Sequence, residues 1–242
     1  RYVIRSIDRY GFEVDKDAIR EDLGEYPDYL YDNNPFNDVN YLLNRDVIYK
    51  RIWNMVKNAK HGKEAGITSF DDYANWMHSY TFGKRTVLNS IFTNERDRFM
   101  DTENTKKLTE QEKESIKATI EQNITSLADD NPNTTFYYFF PPYSAAWWGQ
   151  YKQQGILNKQ IEEEEYAISL IIPHKNIHLF GWNRFDLFDD LNNYKDANHY
   201  GEWINSWILV QMKNENGRLT EDNYKDYLEE FRHHYINFDY NS

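Results

Sequence analysis

Apolar and polar residues follow two different spacings along the chain, and these spacings predict strands separated by helices. Short apolar runs bounded by turn residues are typical of strands, and apolar residues three and four positions apart are typical of core-facing helices. The predicted strands are 1–8, 134–140 and 176–181. The predicted helices are 38–56, 109–127, 154–172, 200–212 and 221–235. Because strands alternate with helices, we expect an α/β fold in which helices flank a parallel sheet in three layers.

Finer patterns predict how some helices begin and which side chains they bury. Thr109 followed by Glu112 forms a capping box, and Ser69 followed by Asp72 is a looser version of the same motif. In the fourth predicted helix, apolar spacing predicts one buried face, formed by Trp203, Ile204, Trp207 and Ile208. The run of four glutamates at 162–165 is interpreted as a solvated helix face.

The domain organisation predicted from these elements is one α/β domain over 1–242 with a largely helical insertion at 16–133. Three strands are few for a parallel sheet of this class. The chain also begins with Arg1, inside a predicted strand and without an initiator methionine. We therefore expect that an N-terminal part of the natural protein, with further strands, precedes Arg1.

Composition narrows the class of partner. The formal net charge is −12 and no run of Lys and Arg interrupts it, which argues against a nucleic-acid partner. The chain has no cysteine, so disulfides and thiol catalysis are excluded. No apolar run approaches the roughly 18 residues of a membrane span, so a membrane anchor is expected only in the part upstream of Arg1. No histidine has the H-E-x-x-H spacing of a zinc site, and we predict neither a metal nor another cofactor.

The clearest candidate for chemistry is the D-x-x-H sequence formed by Asp196 and His199. It lies in a polar loop that leads into the fourth predicted helix. A carboxylate beside an imidazole orients the ring and stabilises its cationic form, as a general base for a hydroxyl nucleophile requires. The alternative is an aspartate that caps the helix and a histidine on the surface.

A second candidate follows the predicted strand 134–140, in the sequence PPYSAAWW. Ligands of open α/β sheets bind beyond the carboxyl ends of the strands, so this loop and the D-x-x-H loop are expected to meet at one edge of the sheet. Substrate-binding residues are then predicted at Tyr143, Ser144, Trp147 and Trp148. The alternative is a rigid turn whose tryptophans complete the core. As a nucleophile, Ser144 lacks the G-x-S-x-G or G-D-S setting.

Three stretches together carry a resemblance to a known family: PPYS at the end of a buried strand, then LFGWNRF, then LNNYKDANHYGEWIN. They resemble the SGNH/GDSL hydrolase superfamily, and most closely its DltD-like cell-surface branch. The resemblance implies a flavodoxin-like sheet and a Ser-His-Asp triad in which Asp196 orients His199, the general base. It also implies an extracellular or cell-surface location and a substrate with O-acyl esters on a glycan or glycopolymer.

The chain departs from that family at the nucleophile. No G-D-S or G-S-S motif is present, and the glycine and asparagine blocks of the oxyanion hole have no clear match. The expectation is therefore an esterase or acyltransferase whose serine lies upstream of Arg1, so that this chain alone has little activity. The alternative is a non-catalytic module that binds glycans or other partners.

Overall fold

The computed structural model describes residues 1–12, 14–18, 27–62, 80–94 and 97–241. The capping box predicted at Ser69 and Asp72 lies outside the described residues. The chain divides into two compact units, one formed by 1–17 with 74–242 and the other by 18–73.

In the described part of the smaller unit, a 3-10 turn at Asp28–Leu30 and an irregular segment precede the helices. Helix α1 is Val39–Leu42, a π-helical turn follows at Val47–Ile52, and helix α2 is Trp53–Lys60. The helix predicted over 38–56 is therefore present but interrupted, and it extends to Lys60. The predicted insertion, 16–133, divides between the two units. Three of the apolar residues whose spacing predicted this helix are more than half exposed, namely Leu42, Leu43 and Met55.

A four-stranded sheet forms the centre of the larger unit. Its strands are β1 Tyr2–Ser6, β2 Thr135–Phe139, β3 Ile177–Phe180 and β4 Arg218–Leu219. They lie in the order β1-β2-β3-β4, and the first three are parallel. The α/β class and the three predicted strands are thus confirmed. The sheet is mixed rather than wholly parallel, because the two-residue strand β4 pairs antiparallel with β3.

Eight helices of the larger unit are described. They are α3 Lys84–Ile91, α4 Glu110–Ile120, α5 Ser126–Asp129, α6 Ala145–Gln153, α7 Leu157–Ile171, α8 Phe185–Phe188, α9 Glu202–Lys213 and α10 Tyr224–Asn237. A π-helical turn joins α4 to α5, so the helix predicted over 109–127 is one continuous helical run. The sequence predicted none of α3, α6 and α8. In the described part of the chain, no helix is both long and apolar enough to cross a membrane.

The helices cover both faces of strand β2. Its residues Phe136 and Tyr138 belong to a core cluster that includes Ile120 of α4 and Ile168 of α7. The neighbouring residue Phe139 belongs to a second cluster, which also contains Phe180, Phe188, Ile204, Ile208 and Met212. Because successive strand residues point to opposite faces, β2 is buried between two helical layers. The expected three layers are therefore present around β2.

Strand β1 differs, because it lies at the edge of the sheet and all five of its side chains are exposed. The first buried side chain in this part of the chain is that of Ile7. The backbone N–H of Ile7 donates to the carbonyl of Phe139 at 2.8 Å. This bond places the residues that follow β1 beside the end of β2.

Two predictions about exposure are wrong. Glu163 and Glu164 are buried, although the four glutamates at 162–165 suggested a solvated face. Each is paired with a cation: Glu163 with Lys159 at 3.5 Å, and Glu164 with Arg9. In α9, Ile204 and Ile208 are buried as expected, but Trp203 is 42% exposed.

The predicted capping box at the start of α4 is confirmed. The carboxylate of Glu112 accepts from the backbone N–H of Thr109 at 2.8 Å and from its hydroxyl at 2.7 Å. Its other oxygen lies 2.7 Å from Nζ of Lys159 on α7. The Lys159 ammonium first, and the Thr109 donors next, lower the pKa of Glu112 from 4.5 to about 2. This one carboxylate therefore both caps α4 and ties it to α7.

Replacement of Glu112 by glutamine should lower the free energy of unfolding at neutral pH by about 0.5–1 kcal/mol, because glutamine keeps the cap but loses the charge. A group whose pKa is lowered in the folded state stabilises the fold above its unfolded pKa. The difference should therefore close as the pH falls from 4.5 towards 2. Urea denaturation at several pH values measures it, with Glu110→Gln as the control because the Glu110 side chain is 88% exposed. A difference that stays constant over this pH range would contradict the role given to Glu112.

Candidate active site

Three loops meet where the parallel strands end. The first follows β1, where Asp8 caps a short 3-10 turn at Arg9–Gly11. The second follows β2 at 140–144, and the third is the loop that contains Asp196 and His199. The backbone N–H and the hydroxyl of Ser144 both donate to the carbonyl of Ala197, at 3.2 and 2.6 Å. The convergence of the PPYSAAWW and D-x-x-H segments at the carboxyl edge of the sheet is therefore confirmed.

The D-x-x-H loop is closed at its base by backbone bonds. Tyr194 and Tyr200 form an antiparallel bridge, and the N–H of Lys195 donates to the carbonyl of His199 at 3.0 Å. The fully buried ring of Tyr194 anchors the loop, and its hydroxyl donates to the carbonyl of Pro142 at 2.8 Å. The loop is thus fastened to the segment after β2, with its tip at the edge of the sheet.

Asp196 and His199 form a hydrogen-bonded pair at this tip. Nδ1 of His199 lies 2.8 Å from both carboxylate oxygens of Asp196. The same carboxylate accepts the backbone N–H of Asn198 at 3.2 Å and that of His199 at 2.8 Å. Three donors therefore fix the carboxylate, and the carboxylate in turn orients the imidazole ring.

These bonds also set the charge and the tautomer of the pair. Burial alone raises the pKa of Asp196, but the bonds from the His199 backbone and ring and from the Asn198 backbone outweigh it, so the pKa lies below its ordinary value. Asp196 is therefore ionised at neutral pH, and Nδ1 of His199 must carry a proton in order to donate to it. Nε2 is then the basic nitrogen. The His199 side chain is 59% exposed, and among the described residues no hydrogen-bond partner is found at Nε2.

The alternative of a helix-capping aspartate does not hold. Helix α9 begins at Glu202, and its N-cap residue is Gly201. Asp196 instead binds the N–H groups of its own loop and the ring of His199. The histidine is on the surface, as that alternative stated, but its ring is held by the carboxylate.

Ser144 has a structural role. It is fully buried, caps helix α6 through the backbone N–H of Trp147, and donates its hydroxyl proton to Ala197. A hydroxyl in this position cannot reach a substrate in solution. The structure therefore argues against Ser144 as a nucleophile or a substrate contact.

The predicted aromatic platform is also part of the interior. Tyr143, Trp147 and Trp148 are all buried. Trp147 stacks on Tyr151 at 4.0 Å between ring centres, and Trp148 packs edge-to-face on Phe231 at 4.7 Å. The interpretation as core residues therefore holds for these rings. They position the loop after β2 and do not offer a face to a ligand.

Two residues of the segment after β1 also lie at this edge of the sheet, although neither was among the predicted site residues. Arg9 reaches from the loop after β1 to Glu164 of α7, with bonds of 2.6 and 3.1 Å, and also donates to the carbonyl of Pro141. Tyr10 is half exposed, and its hydroxyl accepts from the indole N–H of Trp147. Their position directly after a predicted strand was the only sequence signal available, since loops at this edge carry function in α/β sheets.

Other histidine–aspartate pairs are present, but their settings differ. His174 bonds to Asp129 at 2.7 Å near the amino end of β3, at the opposite edge of the sheet. His234 bonds to Asp189 at 2.7 Å, and its ring is stacked on Phe185 at 3.7 Å. Within the described ranges, no group of three or more His, Asp or Glu residues has the arrangement of a metal site.

No protein-family model, no curated protein and no solved structure matches the chain. The functional interpretation therefore depends on the geometry of this edge of the sheet and on the resemblance in sequence.

Proposed function

We propose that this chain is the C-terminal part of an SGNH-type esterase or acyltransferase that acts on O-acyl esters of a cell-surface glycan or glycopolymer. Asp196 and His199 supply two members of a Ser-His-Asp triad in this proposal. The serine is supplied by residues upstream of Arg1. The cell-surface location and the glycan substrate come from the sequence resemblance alone.

The observation that carries the proposal is the geometry of the Asp196–His199 pair. An ionised carboxylate holds Nδ1 of His199 at 2.8 Å, while the imidazole is largely exposed. The pair lies at the carboxyl edge of the parallel strands, where α/β enzymes bind their ligands. A general base needs a fixed ring, one protonated nitrogen and one accessible basic nitrogen, and this histidine has all three.

The chemistry follows from that arrangement. Nε2 of His199 takes the proton of the serine hydroxyl as the serine oxygen attacks the acyl carbonyl, and the Asp196 carboxylate stabilises the imidazolium. When the ester bond to the sugar breaks, His199 returns the proton to the departing sugar oxygen, and the acyl group remains on the serine. Water, or a second sugar hydroxyl, then attacks the acyl-serine and gives its proton to His199. The acyl group leaves as an acid or as a new ester, and the serine regains its proton.

The non-catalytic alternative loses its original support, because the tryptophans that suggested a glycan platform at 147 and 148 are buried. Burial of Ser144 agrees with a nucleophile that lies elsewhere. Under this proposal residues 1–242 alone hydrolyse esters poorly, and the protein extended upstream of Arg1 hydrolyses them well.

In that extended protein, His199→Ala should reduce the rate of p-nitrophenyl acetate hydrolysis by about 10²–10⁴-fold, the usual contribution of a positioned general base. The matched control is His174→Ala, which removes a histidine with a similar aspartate partner from the opposite edge of the sheet. We expect the control to retain wild-type activity. An extended protein without activity, or equal activity in wild type and His199→Ala, would refute the hydrolase proposal.

A further inference from the structure

An exposed aromatic surface adjoins the Asp196–His199 pair, and we propose that it binds a sugar ring of the glycan. The surface is formed by Tyr80, Phe82 and Trp203. The identity of the ligand rests on the proposed function. The position of the surface beside the pair is a feature of the fold.

Trp203 is the centre of this surface. The residue is 42% exposed, although apolar spacing predicted a buried position on α9. Its indole N–H donates to the side-chain carbonyl of Asn193 at 2.9 Å, and the amide of Asn193 donates to the carbonyl of Leu187 at 2.9 Å. The ring is thus held in one orientation while much of its surface remains in water. A fixed exposed ring loses little conformational entropy when a ligand stacks on it.

Two neighbours fix the ring further. Phe82 packs against Trp203 at 5.1 Å between ring centres. Gly201 lies beneath the indole, where a Cβ atom would come within 2.3 Å of the ring. The indole therefore covers the backbone of Gly201, only two residues after His199, and the aromatic surface begins where the candidate base ends.

Tyr80 extends the surface towards the carboxylate of the pair. Nζ of Lys195 lies 4.1 Å from the centre of the Tyr80 ring and 3.7 Å from Oδ2 of Asp196. The N–H of Gly83 donates to the carbonyl of Tyr194 at 3.0 Å, which fastens the segment that carries these rings to the D-x-x-H loop. The Tyr80 ring is therefore connected to the carboxylate of Asp196 through a single ammonium group.

The chemistry of this surface fits a carbohydrate. A pyranose has one or two faces of C–H groups, which pack on aromatic rings, and a rim of hydroxyl groups, which bond to amides and ammonium groups. Here the rings are bordered by the amide of Asn193 and the ammonium of Lys195. Stacked nucleic-acid bases would also pack on such rings, but a chain of net charge −12 repels their phosphates.

Binding can be measured apart from turnover in the His199→Ala variant, which lacks the proposed base. The probes are chitotetraose, cellotetraose and maltotetraose, three unacylated pyranose oligomers, and the readout is the indole N–H resonance of Trp203 in ¹H–¹⁵N spectra. We expect this resonance to shift and saturate with at least one probe. Trp203→Ala, followed through the backbone resonances of the D-x-x-H loop, should weaken that binding about tenfold, and Trp203→Phe should restore part of it.

Tyr2→Ala is the control, because Tyr2 is an exposed aromatic residue at the amino end of β1, and it should bind as wild type does. The inference is overturned if none of the three probes shifts the Trp203 resonance, or if Trp203→Ala binds as tightly as the parent. The test of the sugar site and the test of the proposed hydrolase can fail independently. Binding that depends on Trp203, in a protein whose ester hydrolysis does not depend on His199, would keep the sugar site and refute the hydrolase.

Discussion

Replacing Arg9 with methionine is expected to lower the free energy of unfolding by about 3–5 kcal/mol, the usual effect of removing one partner of a buried ion pair. The Arg9 guanidinium is buried and bonds to both carboxylate oxygens of Glu164, at 2.6 and 3.1 Å. Tyr227 also donates to this carboxylate at 3.2 Å. Burial by itself lowers the pKa of Arg9, but the Glu164 carboxylate outweighs it and the pKa is raised. Methionine would fill much of the space and leave a buried charge without its cation.

A double variant, Arg9→Met with Glu164→Leu, distinguishes the charge from the packing. Removal of both charges should restore most of the lost stability, because an apolar pair of similar volume is often as stable as the ion pair. The control is Arg218→Met, which breaks an exposed pair with Glu215 and should change stability by less than about 1 kcal/mol. Urea denaturation measures all three variants. A single Arg9→Met variant as stable as wild type would show that the pair contributes nothing.

The same pair connects stability to the site. Arg9 follows β1, donates to the carbonyl of Pro141 after β2, and lies over the rings of Phe140, Tyr143 and Trp148. The two loops that follow β1 and β2 are therefore fastened to α7 through one guanidinium. We expect variants of Arg9 that still fold to alter the geometry of these loops as well as the stability.

Local patterns predicted the strands, the longer helices and the capping box, because each depends on residues close together in the sequence. Burial of Glu163 and Glu164 could not be predicted in the same way. A helix face of this kind is normally solvated, and what buries Glu164 is Arg9, which lies 155 positions earlier in the chain. The exposure of Trp203 could not be predicted from helical spacing either, because it depends on a bond to Asn193 in the preceding loop.

In the candidate site, too, contacts between residues close in sequence could be predicted and contacts between distant residues could not. Asp196 and His199 are three residues apart, so their contact follows from the loop itself and was predicted. The role of Ser144 depends on the carbonyl of Ala197, which lies 53 positions later, and nothing near Ser144 in the sequence indicates that bond. The tryptophans at 147 and 148 were ambiguous for a related reason. An aromatic pair after a strand has the same local pattern whether it packs in the core or faces a ligand.

The effect of the carboxylate on catalysis is the most direct test of the pair. In the protein extended upstream of Arg1, Asp196→Asn should reduce the rate of p-nitrophenyl acetate hydrolysis by about 10⁴-fold. Asparagine fills the same space, but its amide N–H donates to Nδ1 of His199, so the proton moves to Nε2. The ring then has the wrong tautomer to accept a proton from the serine. The matched control is Asp129→Asn, which alters the carboxylate beside His174 and should leave the rate unchanged.

The tautomer of His199 can also be observed in residues 1–242 alone, without any turnover. In ¹⁵N spectra of the histidine rings, wild-type His199 should show a protonated Nδ1, and Asp196→Asn should show a protonated Nε2. Because the pKa of Asp196 is lowered in the fold, its contribution to stability is present at neutral pH and is lost as the pH falls below the ordinary aspartate range. The stability difference between wild type and Asp196→Asn should therefore close in acid. If the variant keeps both the wild-type tautomer and the wild-type rate, Asp196 only shapes its loop, and the proposed triad is refuted.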